Sequence, residues 1–262
     1  MAQQIKIKTG VIAVLALALV YAGCKKDSKS PATVSATDKQ ATLAIVQNLV
    51  KIITGGVDPS NPGVATGSIG QQPGKLKVDD ISGSGCAFTE DTTYSYTIQL
   101  NDTTTVSSKG HYSLSSTCQS GNTLGTFTEI GNFTIGQTTP SLSATYNENA
   151  DITVSLVAAT SGSTSTDNEI WNGTESVDGT YNYTNGKSGT QDYTFNFHAI
   201  TVDGTGIYTG STDYTAKVSG VFGSWNYSGT LTYLSHTQVK ITLGGATYLV
   251  NLTTQQVDRE TL

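Results

Sequence analysis

Tyr193-Thr194-Phe195-Asn196-Phe197-His198 decides the fold: every second residue is a large aromatic, and every residue between is polar. Successive side chains of an extended strand point to opposite faces. A period of two therefore describes a strand with one face buried and one face in water. The pattern recurs on both sides of this stretch. Tyr94, Tyr96, Ile98 and Leu100 alternate with Ser95, Thr97 and Gln99, and Ile152, Val154 and Leu156 with Thr153 and Ser155. Further on, Trp225, Tyr227, Leu231 and Tyr233 alternate with Ser224, Asn226, Ser228 and Thr230, and Val239, Ile241 and Leu243 with Lys240 and Thr242; Tyr248, Val250 and Leu252 close the series. Phe222 and Leu234 fall on the opposite parity to Trp225, as exposed residues or as marks of a strand bend.

Turn signals separate the runs: Ser120-Gly121-Asn122, Asn147-Glu148-Asn149, Asn185-Gly186-Lys187, Asp203-Gly204 and Gly244-Gly245. Asn-Gly and Asp-Gly favour the tight turns of hairpins. Connections this short make consecutive strands neighbours. The expectation is an all-β antiparallel meander of on the order of a dozen strands over residues 76–262. So many strands with one apolar face must form a barrel or a sandwich to bury it.

Composition agrees with a folded β domain. Only 13% of residues are charged, against the usual quarter or so; the polarity comes from 43 Thr and 27 Ser. Thr is a strand former, and 13 Tyr, 6 Phe and 2 Trp supply a core. The net charge of −6 argues against a nucleic-acid partner, which a basic surface would attract.

Ahead of the strands the period changes. Ala41, Ile45, Leu49 and Ile52/Ile53 recur at helical spacing, with Leu43, Val46 and Val50 widening the stripe. Ser35-x-x-Asp38 has capping-box spacing and Gly55-Gly56 is a stop, which predicts one N-terminal helix over about Asp38 to Thr54. The stripe suits packing on the β domain; the other use is to bind a partner. Residues 55–75 hold three Pro and six Gly and read as a linker. Residues 37–75 are therefore helix plus linker.

Residues 1–9 carry Lys6 and Lys8 and no acid, Val11 to Val20 is unbroken apolar, and Ala22-Gly23-Cys24 follows. A basic start, a short apolar run and a small-residue cut site describe a signal peptide. The run is too short to span a bilayer as a helix. Tyr21-Ala22-Gly23-Cys24 resembles the lipobox of bacterial lipoproteins, matching at Ala22, Gly23 and Cys24 and departing at Tyr21, where an aliphatic residue is usual. Val20-x-Ala22 also fits ordinary cleavage after Ala22. The resemblance covers about the first 30 residues. It implies removal of residues 1–23, lipidation of Cys24, a flexible tether over 24–36, and an envelope protein anchored by its lipid to the outer membrane. Loss of Lys6 and Lys8 takes the charge from −6 to −8. Transmembrane barrels alternate too, but the tether and the Gly-interrupted apolar faces argue against one.

Of the three cysteines, Cys86 and Cys118 remain once Cys24 carries lipid, an even pair in an oxidising compartment. A bridge between them would close a loop of about 33 residues and stabilise by roughly 3.7 kcal/mol in the chain-entropy account. A metal pair and free thiols are the alternatives, and no third ligand stands at metal spacing.

Motifs for chemistry are sparse. None of His111, His198 and His236 has a second His at i+2 or i+4, as compact metal motifs require. There is no Gly-x-Ser-x-Gly elbow and no Gly-rich loop opening a helix. No metal or cofactor is expected. Acids cluster at Asp79-Asp80, Glu90-Asp91 and Asp167-Asn168-Glu169, which solvated loops explain. Asp167 and Glu169 beside Trp171, together with Trp225, are the candidate ligand-binding residues. Flat rings with a polar tip can carry a sugar; the rival use of both Trp is as core. The expectation is a non-catalytic envelope lipoprotein, a binding or structural module. One alternative is a carrier whose β-barrel holds an apolar small molecule with the helix as plug or lid, similar in fold alone to periplasmic lipoprotein carriers. Another is a glycan-binding or adhesive surface module. A hydrolase would need two carboxylates or a His–acid pair in one pocket.

Overall fold

The computed structural model describes residues 34–54, 87–118, 124–157, 168–203, 206–220 and 223–260. The expected signal peptide and linker lie outside them, as does the tether up to residue 33. The chain forms one helix and one antiparallel sheet. Helix α1 spans Ala36–Thr54. The strands are β1 Thr89–Asn101, β2 Thr104–Cys118, β3 Leu124–Thr139, β4 Leu142–Val157, β5 Asn168–Tyr183, β6 Ser188–Asp203, β7 Gly206–Gly220, β8 Gly223–Ser235, β9 Gln238–Leu243, β10 Ala246–Asn251 and β11 Gln256–Arg259. Each strand pairs with its neighbours in sequence, so the sheet is an eleven-stranded meander. Among the described residues β1 and β11 are not joined, and the sheet stays open.

The alternation holds over whole strands. On β4, Leu142, Ala144, Tyr146, Glu148, Ala150, Ile152 and Val154 are all buried while the residues between face out. Asn147-Glu148-Asn149 therefore does not turn. The parity of β4 runs through it unbroken, and Asn147 is tied on the outer face to Thr134 of β3 and Asp178 of β5. The Asn185-Gly186 and Gly244-Gly245 turns do form, and both Gly244 and Gly245 take the positive φ that a tight hairpin turn requires.

A single sheet buries one face only by curling over it. Across the strands the inner rows set glycines and small side chains beside large ones. One row runs Ser108, Ile135, Tyr146, Gly179, Gln191, Val218, Trp225 from β2 to β8. The Tyr146 ring lies where a Cβ on Gly179 would be. The Phe133 ring does the same over Gly131. Aromatic rings laid over glycines let the sheet bend while its inner face stays filled.

The tightest irregularity crosses three strands. Register shifts between Trp171 and Gly173, and between His198 and Thr201, put bulges on β5–β6 and β6–β7. Ala199 sits there at φ 51°, and its N–H donates to Asn172 Oδ1 at 2.9 Å. Bulges sharpen local twist, so this is a point where the sheet turns.

Helix α1 starts two residues earlier than the periodicity predicts, because Ser35 caps it: the Asp38 N–H donates to Ser35 Oγ at 3.0 Å. It packs against β7 to β11. Ala41, Ile45, Val46 and Leu49 are fully buried, as are Thr42 and Asn48. No residue from Ala41 to Val50 is exposed. The helix is embedded in the inner side of the sheet, where its apolar stripe completes the core.

Candidate functional site

The outward positions make a continuous polar field. Two neighbouring rows run Thr93, His111, Asn132, Asn149, Ser176 and Ser95, Lys109, Thr134, Asn147, Asp178 from β1 to β5. Side chains link the strands across these rows. Thr134 Oγ1 donates to Asn147 Oδ1 at 3.2 Å, Asn147 Nδ2 to Asp178 Oδ2 at 3.0 Å, and Asn149 Nδ2 to Ser176 Oγ at 3.4 Å. Between the rows, over β1 to β4, lies an open trench of about 500 Å³ with Thr93, Ser95, Lys109, Asn132, Thr134, Asn147 and Asn149 along it; Tyr94, Gly110, Phe133 and Glu148 of the row between also line it, and much of its surface is apolar. His111 is drawn to Asp91 at 2.7 Å, and the trench lining does not include it.

All three histidines are held in this way. His198 pairs with Asp213 at 3.0 Å and His236 with Asp203 at 3.0 Å. Hydrogen bonds from Thr230 and His198 to Asp213 outweigh its slight burial and hold its carboxyl below the usual range. No His reaches a second His or a cysteine among the described residues, and no group of three metal-ligating side chains stands there.

The inner face holds polar groups as well. Glu129, Glu148 and Glu175 on β3, β4 and β5 point inward and are 2%, 1% and 0% exposed. Around α1 and β6 to β8, several buried polar atoms have no hydrogen-bond partner among the described residues: Thr42 Oγ1, Asn48 Oδ1, Tyr193 OH, Thr212 Oγ1, Trp225 Nε1 and Tyr233 OH. Burial pushes the Tyr193 and Tyr233 hydroxyls well above their ordinary pKa, so both remain O–H donors. At the start of α1, Asp38 accepts from Tyr227 OH and Tyr248 OH, each at 3.0 Å, fastening the helix to β8 and β10. Burial raises its pKa, but the hydrogen bonds from Ser35, Tyr227 and Tyr248 and the Arg259 charge outweigh that, and the net displacement is downward.

The residues singled out from the sequence do not meet in one place. Trp171 and Trp225 are 7% and 8% exposed and face the core. Trp171 registers with Ile200 of β6, and Trp225, through Val218, with Gln191. Nine residues of β6 separate them, about 30 Å at strand rise. Glu169 and Trp171 do come together, Trp171 Nε1 donating to Glu169 Oε2 at 2.9 Å. Asp167 lies outside the described residues, as do Cys24 and Cys86. Cys118 ends β2. Leu234, off the Trp225 parity, is exposed; Phe222 lies outside the described residues. The trench residues were missed because each is an ordinary outward Thr, Asn or Lys. The inward acids had a signal: Glu129 shares the parity of Phe127 and Phe133, Glu148 that of Tyr146 and Ile152, and Glu175 that of Trp171 and Val177.

No protein-family model, curated protein or solved structure matches this chain.

Proposed function

We propose that this protein is a non-catalytic module of the bacterial cell envelope, anchored by lipid on Cys24, that binds a polyhydroxylated ligand, a glycan, through the outer face of its sheet. The observation that carries this reading is the trench between two rows of Thr, Ser and Asn side chains on an otherwise solvated sheet face. Such groups donate and accept at once, as sugar hydroxyls do. Two further points support it. The inner side of the sheet is occupied by α1 and by the aromatic rows, and each histidine is engaged by an aspartate on the exposed surface. The test is a glycan array probed with the mature protein. Binding that Asn132→Ala weakens sustains the reading, and a blank array overturns it. For the anchor, Cys24→Ala should move the protein from the membrane to the soluble fraction; a mutant that still partitions with membranes refutes that part. The Cys86–Cys118 bridge belongs to the same envelope reading, and labelling of both thiols in unreduced mature protein would exclude it.

The unpartnered polar atoms beside α1 favour a second reading, a carrier of an apolar molecule with α1 as its plug. Buried polar atoms without partners cost about 1–3 kcal/mol each, so a lipid whose polar head satisfied some of them while its apolar body filled the core could compete with the helix. Native mass spectrometry of protein purified from its own host separates the two readings: a released apolar ligand supports the carrier, and a bare protein supports the outer-face reading.

A further inference from the structure

We propose that the trench is specific for an acidic saccharide, with the Lys109 ammonium holding the carboxylate of a uronic acid and the flanking amides and hydroxyls holding the ring hydroxyls. This rests on the glycan reading above and narrows it to a ligand class.

Four observations converge. First, Lys109 is exposed in the trench, and no described side chain bonds or pairs with it. Several other charged groups on the same face are engaged, Asp91 with His111, Asp178 with Asn147, Asp213 with His198 and Thr230; Lys217, Asp151 and Asp192 are exposed without a described side-chain partner, but none of them lies in the trench. In a chain with 20 acidic and 14 basic residues, an ammonium left without a carboxylate partner is well placed to meet one on a ligand. Second, none of the outward residues lining the trench is an acid: Asp178 stands beyond Asn147 and is bonded to it, and Glu148 borders the trench with its side chain turned inward and 1% exposed. Third, Thr93, Ser95 and Asn132 make no side-chain hydrogen bond to a described residue, and Asn147, held by Thr134 and Asp178, still has one N–H to give. That is a pre-positioned set of donors and acceptors for vicinal hydroxyls. Fourth, Ile130 stands two residues from Asn132 on the same outward face of β3 and is 51% exposed, an apolar contact for the C–H face of a sugar ring.

The volume of about 500 Å³ falls within the range of small-molecule sites.

The experiment is calorimetric titration of the full mature protein in non-ionic detergent with oligomers of galacturonate, glucuronate and mannuronate, each beside its carboxyl-reduced, neutral counterpart. The expected result is preference for at least one acidic oligomer. Lys109→Gln should weaken that binding roughly tenfold, the scale of one charge-assisted contact, and Lys109→Arg should restore most of it. High salt should bring the wild type toward the Lys109→Gln level. Lys109 is exposed, so an unchanged melting temperature in Lys109→Gln shows that folding is not the cause. Equal affinity for acidic and neutral oligomers, or binding indifferent to Lys109→Gln, overturns the acidic specificity while leaving the glycan reading intact. No binding of any saccharide overturns both.

Discussion

Asp38 is the fastening between α1 and the sheet, and replacing it should loosen the helix without unfolding the strands. In the native structure its two oxygens accept one hydrogen bond each from Tyr227 and Tyr248, at 3.0 Å. Hydrogen bonds to a charged group are worth about 1.5–3 kcal/mol each when well shielded. Asp38 is partly exposed, so solvent screening brings each nearer ~1 kcal/mol. Asp38→Ala therefore removes about 2 kcal/mol, concentrated where the helix docks, because the strand ladders do not involve this residue. Hydrogen exchange reads it directly: the amides of Ile45 to Leu49 should lose roughly 30-fold in protection while those of β3 to β6 change little. Tyr227→Phe and Tyr248→Phe should each give part of the effect, and the Asp38→Ala/Tyr248→Phe cycle should show coupling. The pH dependence has a definite sign. The folded pKa of Asp38 lies below its unfolded value, so its contribution is fully present above about pH 4 and is lost as the pH falls through the lower folded value. Uniform loss of protection over helix and sheet alike, or no change in α1, would refute the fastening.

Two further substitutions probe the bulge where the sheet turns. Ala199 at φ 51° bears the cost of a left-handed conformation, so Ala199→Gly should stabilise by about 1 kcal/mol in urea denaturation; a loss of stability would mean that the bulge is not strained. Gly173 has φ 126°, and a Cβ there would run into the Asp151 backbone; Gly173→Ala should cost more than 2 kcal/mol, and a neutral effect would show that β4 and β5 can slide apart at that point. At the Phe133–Gly131 overlap, Gly131→Val should displace the ring and lower the melting temperature by several degrees, and an unchanged Tm would mean that the ring has room to move.

The strands were legible because burial imposed a period of two that no other local structure carries. Tyr193, Phe195 and Phe197 are all buried, and the same logic extends to β8 and β9. The helix was legible from Ser35, Asp38 and the Ile45–Leu49 stripe for a similar reason: cap and stripe are both local. The error at Asn147-Glu148-Asn149 came from composition. Two Asn around a Glu look like a turn until Glu148 is counted on the parity of Tyr146 and Ala150, where it continues the strand. Charge on a buried parity breaks the hydrophobic pattern that reveals a strand, so the positions with the most unusual inner environment were the ones the pattern hid. The Trp pair misled for the opposite reason. Its rings are conspicuous in the sequence, but alternation assigns Trp171 and Trp225 inward, and it says nothing of the nine-position offset along β6 between them.

The trench was beyond the reach of local pattern altogether. Lys109, Asn132 and Asn147 belong to three strands, and alternation says of each only that it faces out. Which outward residues become neighbours depends on register, set by every hairpin between them. A shift of two residues in β2 against β3 would keep every apolar side chain inward, yet it would place Ser107 or His111 where Lys109 now faces Thr134. The core tolerates such a shift poorly, because the Phe133 ring of β3 needs the space that Gly110 of β2 leaves beside it; Tyr146 of β4 over Gly179 of β5 fixes the next register in the same way. The inner rows of rings and glycines thus hold the register, and the register sets which polar groups stand together on the outer face. An outward field of nearly interchangeable Thr, Ser and Asn can then carry one particular arrangement, an unpaired ammonium between amides and hydroxyls, although no single strand encodes it.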